Sequence, residues 1–112
     1  SDFTQQIHAG TSITEIIKKT WINDEIIQPQ HIICGILQQK NLLIKSGKLK
    51  KYIERFLNEN RIVTSYSVKQ IISNGLKFLI RNEIIQKKDD YLVGLKTDII
   101  LKYSELIKKT IS

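Results

Sequence analysis

The sequence has no methionine, a single alanine (Ala9), a single cysteine (Cys34), a single proline (Pro29) and a single tryptophan (Trp21) among its 112 residues. Each shortage excludes something. One cysteine cannot close an internal disulfide, and no charged-then-apolar leader is present, so a reducing compartment is expected rather than a secreted disulfide scaffold. The longest apolar runs are a few residues, as at Leu42-Leu43-Ile44, too short to span a membrane. The five glycines are scattered and form no phosphate-cradling loop. Without methionine even at its start, Ser1-Asp2-Phe3, the chain is expected to be a processed or excised piece of a longer protein.

What is present is a globular composition, 41% hydrophobic and 26% charged, enough for one modest core. Isoleucine dominates that share with 22 residues, and lysine outnumbers arginine 15 to 3. The net charge of +7 favours a polyanionic partner, but the joint excess of Ile, Lys, Asn and Gln indicates an A+T-rich coding genome that contributes to it.

The pattern begins after a loose arm, residues 1–10. Ser12 and Glu15 have the spacing of a capping box, and Ile13, Ile16, Ile17 and Trp21 recur at helical intervals, so a helix is expected over about residues 12–22. Pro29 suits the first turn of a second helix, whose stripe of Ile32, Ile33, Ile36, Leu37, Leu43 and Ile44 carries it to Ser46-Gly47. A third runs from about Lys48 to Asn58, with Leu49, Ile53, Phe56 and Leu57 inward. Ser67 then caps a helix in which Val68, Ile71, Ile72, Gly75, Leu76 and Leu79 follow the helical rule closely. After Arg81-Asn82 come two extended runs, Glu83 to Gln86 and Tyr91 to Leu95, around a turn Lys87-Lys88-Asp89-Asp90. Thr97 and Asp98 open a last helix with Ile99, Ile100, Tyr103, Leu106 and Ile107 inward and Lys108-Lys109 at its C-terminal end.

The expected fold is mainly α with a small β-hairpin, ordered as a winged helix-turn-helix: a core over about residues 28–96, with extra helices before and after it in a single domain, 11–112. In that arrangement the helix from Ser67 to Arg81 turns its outer face to a major groove while the hairpin reaches the backbone beside it. That face carries Lys69, Gln70, Ser73, Asn74 and Lys77, which include types that reach guanine or adenine edges, and Lys87 and Lys88 in the wing are placed for phosphate, which Asp89 and Asp90 next to them would repel. Tyr66 beside the helix and Tyr91 in the wing are the tyrosines to consider for base stacking. A solvated helix surface has the same composition, and winged helices also dock proteins.

Thr64-Ser65-Tyr66-Ser67-Val68-Lys69-Gln70, Gly75-Leu76-Lys77-Phe78-Leu79, Asn82-Glu83-Ile84-Ile85 and Lys88-Asp89-Asp90-Tyr91 together resemble the winged helix that closes the middle subunit of replication protein A. They are similar as well to the module that ends the Stn-type subunit of the CST telomere-capping complex. The resemblance covers roughly residues 46–95. It implies a nuclear recruitment domain, joined to a single-stranded-DNA-binding OB-fold elsewhere in its protein, that docks partners of replication, repair or telomere synthesis. Strong basicity and the additional helices depart from the replication protein A pattern and fit a telomeric relative better. Outside that resemblance the expected location is cytoplasmic.

Catalysis is not expected. His31 and Cys34 share a helical face, but zinc needs four ligands, and the pair lacks the orienting third group of an activated thiol; a buried hydrophobe is the default for Cys34. Asp24-Glu25 and Asp89-Asp90 fall in turns, where neighbouring carboxylates point to different sides. The sequence therefore implies no enzyme, no metal or other cofactor, no small-molecule substrate and no membrane partner. The alternative function is a dimeric winged-helix transcriptional regulator reading duplex DNA, paired through the stripe of the last helix. A third reading is a scaffold module whose basic face reflects genome bias.

Overall fold

The computed structural model describes residues 20–21 and 27–111. The expected arm, the Ser12 cap, His8 and the side chain of Trp21 lie outside the described residues. Within them the chain is mainly helical with a small three-stranded antiparallel sheet.

Thr20–Trp21 form a two-residue strand, β1, parallel to Ile62–Val63, β3, with Thr20 opposite Ile62 and Trp21 opposite Val63. The helix expected to reach residue 22 therefore does not extend over these two positions. Thr, Trp, Ile and Val are all residues that favour extended backbone, and here a nearby strand outweighs the helical spacing.

Helix α1, Pro29–Gln39, begins where Pro29 removes an N–H that would have had no intrahelical partner. Gln28 stands extended before it, and its N–H donates to His31 Nδ1 at 2.9 Å while the His31 N–H donates to the Gln28 carbonyl at 3.0 Å. Ile32, Ile33, Cys34, Ile36 and Leu37 are all buried, so α1 is apolar around most of its circumference, as a central helix must be.

The second helix was expected to reach Ser46-Gly47. It stops at Gln39, because Asn41 and Leu42 both take left-handed backbone, with φ of 55° and 67°, and the Leu42 N–H turns back to the Leu37 carbonyl at 2.8 Å. Leu43 and Ile44 belong instead to strand β2, Leu43–Lys45, followed by a short 3₁₀ turn over Ser46–Lys48.

Helix α2, Leu49–Glu59, buries Leu49, Ile53 and Phe56 and exposes Lys50, Lys51, Glu54 and Arg55 as expected. Helix α3, Val68–Arg81, starts at Ser67 and buries Ile71, Gly75 and Leu79. Gly75 marks the close approach of α3 to α1: a Cβ there would lie 2.4 Å from Ile33 Cδ1 and 3.2 Å from the Pro29 carbonyl oxygen, so a larger residue would force the end of the Ile33 side chain to shift.

Strands β4, Ile85–Lys88, and β5, Tyr91–Gly94, form the hairpin, and β2 adds to its other side in the order β2-β5-β4. The turn is only Asp89-Asp90, with Asp89 at φ 54°; Lys87 and Lys88, expected in the turn, sit in β4 opposite Leu92 and Tyr91. Ile44, Ile85 and Leu92 face the helices and are buried. Helix α4, Thr97–Ile111, has α1 as its principal neighbour and buries Ile100, Ser104 and Ile107.

Candidate nucleic-acid or partner interface

The surface singled out by sequence is built on α3. Its start is fixed by a reciprocal cap: the Gln70 N–H donates to Ser67 Oγ at 3.1 Å, and the Ser67 N–H donates to Gln70 Oε1 at 2.8 Å. Two amides that would otherwise lack partners are thereby satisfied. The same bond engages the oxygen that Gln70 would need to grip an adenine edge in bidentate fashion. Gln70 is thus a capping residue, with its amide nitrogen left for other contacts.

Lys69, Ser73, Asn74 and Lys77 are all exposed. At about 100° per residue, these four fall within an arc of about 140° on the outer side of α3, which Ile80 and Arg81 continue toward its C-terminus. Arg81 and Ile80 are exposed as well and were not singled out by the sequence pattern.

Tyr66 is differently placed. Its hydroxyl donates to Gln28 Oε1 at 3.2 Å, and its N–H donates to Thr64 Oγ1 at 3.2 Å. The half-buried ring packs on the core and ties the segment before α3 to the start of α1. It is a positioning group for the helix rather than an open stacking surface.

Lys87 and Lys88 are exposed on β4, and Tyr91 is 42% exposed on β5. Lys45 on β2 lies directly opposite Tyr91 and is exposed, a neighbour hidden from sequence reasoning by the assignment of residues 43–45 to a helix. Between the end of α3 and β4 lies an open cleft of about 510 Å³, lined by apolar Ile80, Ile85 and Leu95 and by polar Glu83, Gln86, Lys87 and Lys96. Lys96 Nζ donates to the Asn82 carbonyl at 3.0 Å, which closes the end of α3 onto the residue after the hairpin.

No family model, curated protein or solved structure matches the chain.

His31 and Cys34 sit on the buried side of α1. The His31 ring meets Tyr103 edge-on, with centroids 4.5 Å apart, and burial holds its pKa below the ordinary value of 6.5. Burial pushes the Cys34 thiol up to about 12, which removes the thiolate a nucleophile or metal ligand requires. Among the described residues no three His, Cys, Asp or Glu side chains are gathered as a metal would need. No helix among them is long and apolar enough to cross a membrane.

Proposed function

We propose that the chain is a non-catalytic winged-helix binding module, the C-terminal domain of a subunit in a CST-like single-stranded-DNA-binding complex of replication or telomere maintenance in the nucleus. It docks protein partners through the outer side of α3 and the adjoining hairpin, with DNA as a second ligand of that surface. The observation that carries this reading is topological. The order α1, β2, α2, α3, β4, β5 with a sheet arranged β2-β5-β4 is compatible with such a module, and it leaves the polar outer side of α3 exposed. The cleft beside β4, with its exposed Ile80 and Leu95, supports protein docking in particular, since a purely solvated surface gains nothing from grouped apolar side chains.

The alternative of a dimeric regulator is less well supported. Its pairing stripe on α4 is largely spent inside the molecule, where Ile100 and Ile107 are buried and Ile99, Tyr103 and Leu106 pack on the same core.

The test is affinity capture with the chain as bait, read by identifying retained proteins. A replication or telomerase subunit should be retained by the native chain and lost with Lys69→Glu combined with Lys77→Glu. Retention of no such subunit, or equal retention by the variant, would overturn the proposal.

A further inference from the structure

The strand register brings together three residues that the sequence keeps far apart. Tyr91 on the central strand β5 stands directly opposite Lys45 on β2 and directly opposite Lys88 on β4. Residues opposed in this way share a face of the sheet, and side chains alternate between faces along each strand. The neighbouring register pair Ile44 and Leu92 is buried against the helices, so the row Lys45, Tyr91, Lys88 lies on the solvent side. The next row on that side is Leu43, Val93 and Gln86, with Leu43 49% exposed. Neither row contains a carboxylate.

We propose that this outer sheet face is a contact site for single-stranded nucleic acid, with a base stacked on Tyr91 and phosphates held by Lys45 and Lys88. An exposed aromatic ring supplies a sequence-tolerant platform, since every base has a π-face, and the flanking cations follow the backbone. Strands lie roughly 4.8 Å apart, so the two lysine backbones are separated by about 10 Å, with the ring between them. Asp89 and Asp90 form the turn directly between Lys88 and Tyr91, so their carboxylates border the row on its tip side and oppose phosphate there, and the ligand's path runs across the strands toward Lys45. A rigid duplex cannot present an unstacked base to the ring, and charge complementarity disfavours an acid-free or basic protein segment.

This site shares Lys88 with the partner-docking surface but does not rest on protein capture. A chain that retains no replication subunit can still bind an oligonucleotide, and the reverse, so the two failures are distinguishable.

The test is fluorescence anisotropy of short labelled oligothymidylate and oligouridylate with the full chain, between about 50 and 200 mM salt. Tyr91→Ala should weaken binding by about tenfold or more, while Tyr91→Phe, which keeps the ring, stays within about twofold of the native chain. Lys45→Gln with Lys88→Gln should lower the slope of log affinity on log salt by about 1.4, two phosphate contacts on a single strand. Tyr91 is largely on the surface, and thermal melting of each variant verifies that the fold is kept. The Phe and Gln variants decide the matter if the Ala variant unfolds. The proposal is overturned by absence of binding, by a Tyr91→Ala affinity equal to that of the native chain, by a salt slope unchanged in the Gln variant, or by displacement of the oligonucleotide at equal concentrations of duplex DNA or of an acidic peptide.

Discussion

His31 shows how much one side chain can report about its surroundings. Its Nδ1 accepts the Gln28 N–H, so the proton of the neutral ring is on Nε2, and the ring edge rests against Tyr103. Charging this imidazole would place a cation out of water, and that burial lowers its pKa. The unfolded chain takes up the proton near the ordinary pKa, so below about pH 6.5 it binds more protons than the folded chain, and stability falls. Above that value both forms are neutral and the dependence vanishes. Urea unfolding between pH 7 and 5 should show this loss, at most about 1.4 kcal/mol per pH unit, and His31→Asn, which keeps an acceptor but does not titrate, should flatten it. The default reading of Cys34 as a small buried hydrophobe matches its place in the core, with full burial and a raised pKa. The role of His31 was not legible, because a histidine three residues after a glutamine is no standard capping signal.

Helix boundaries show where local rules ran out. The first, second and third helices end at residues with left-handed backbone, Asn41, Arg61 and Glu83, and none of them is glycine. At the end of α3 the Ile84 N–H reaches the Leu79 carbonyl at 2.9 Å and the Glu83 N–H reaches that of Ile80 at 3.0 Å, a Schellman closure in which buried Ile84 packs as the following apolar residue. Asn60 and Asn82 reinforce two of these ends, each donating from Nδ2 to the carbonyl four residues back at 2.8 Å. The expected ends at Asn58 and at Arg81-Asn82 lie within a residue of the ends of α2 and α3. The expected end at Ser46-Gly47 was too late, because Leu42-Leu43-Ile44 prolonged the apolar stripe and disguised a strand. Left-handed backbone costs a non-glycine residue about 1–2 kcal/mol, partly offset in glycine by chain entropy. Glu83→Gly should therefore stabilise the fold by roughly 0.5–1 kcal/mol, seen as a rise of a few degrees in the melting temperature.

At the scale of the molecule, the helical periods and the hairpin of the core were legible because α2, α3 and α4 each have one buried face and one wet one. The third strand was not, since three residues carry too little pattern and their pairing with β5 is a long-range fact. The candidate surface divides in the same way. Lys69, Ser73, Asn74 and Lys77 fall together by helical spacing alone, whereas the meeting of Lys45 with Tyr91 depends on register. α4, expected as an addition to the core, is the principal neighbour of α1, and its Ile100 and Ile107 are buried. A chain ending at Lys96 should lose its cooperative thermal transition by circular dichroism, because it leaves one side of α1 bare; a sharp melt close to that of the full chain would contradict this.

The placement of α4 also bears on synthesis. The residues of α1 are made first, and the helix that covers them most extensively is encoded about 70 residues later. At roughly 5–20 residues per second, Ile32, Ile33, Ile36 and Leu37 wait on the order of 4–14 s for that cover. During this interval the nascent chain exposes its most apolar segment, and a chaperone that binds isoleucine-rich stretches has its natural target in α1.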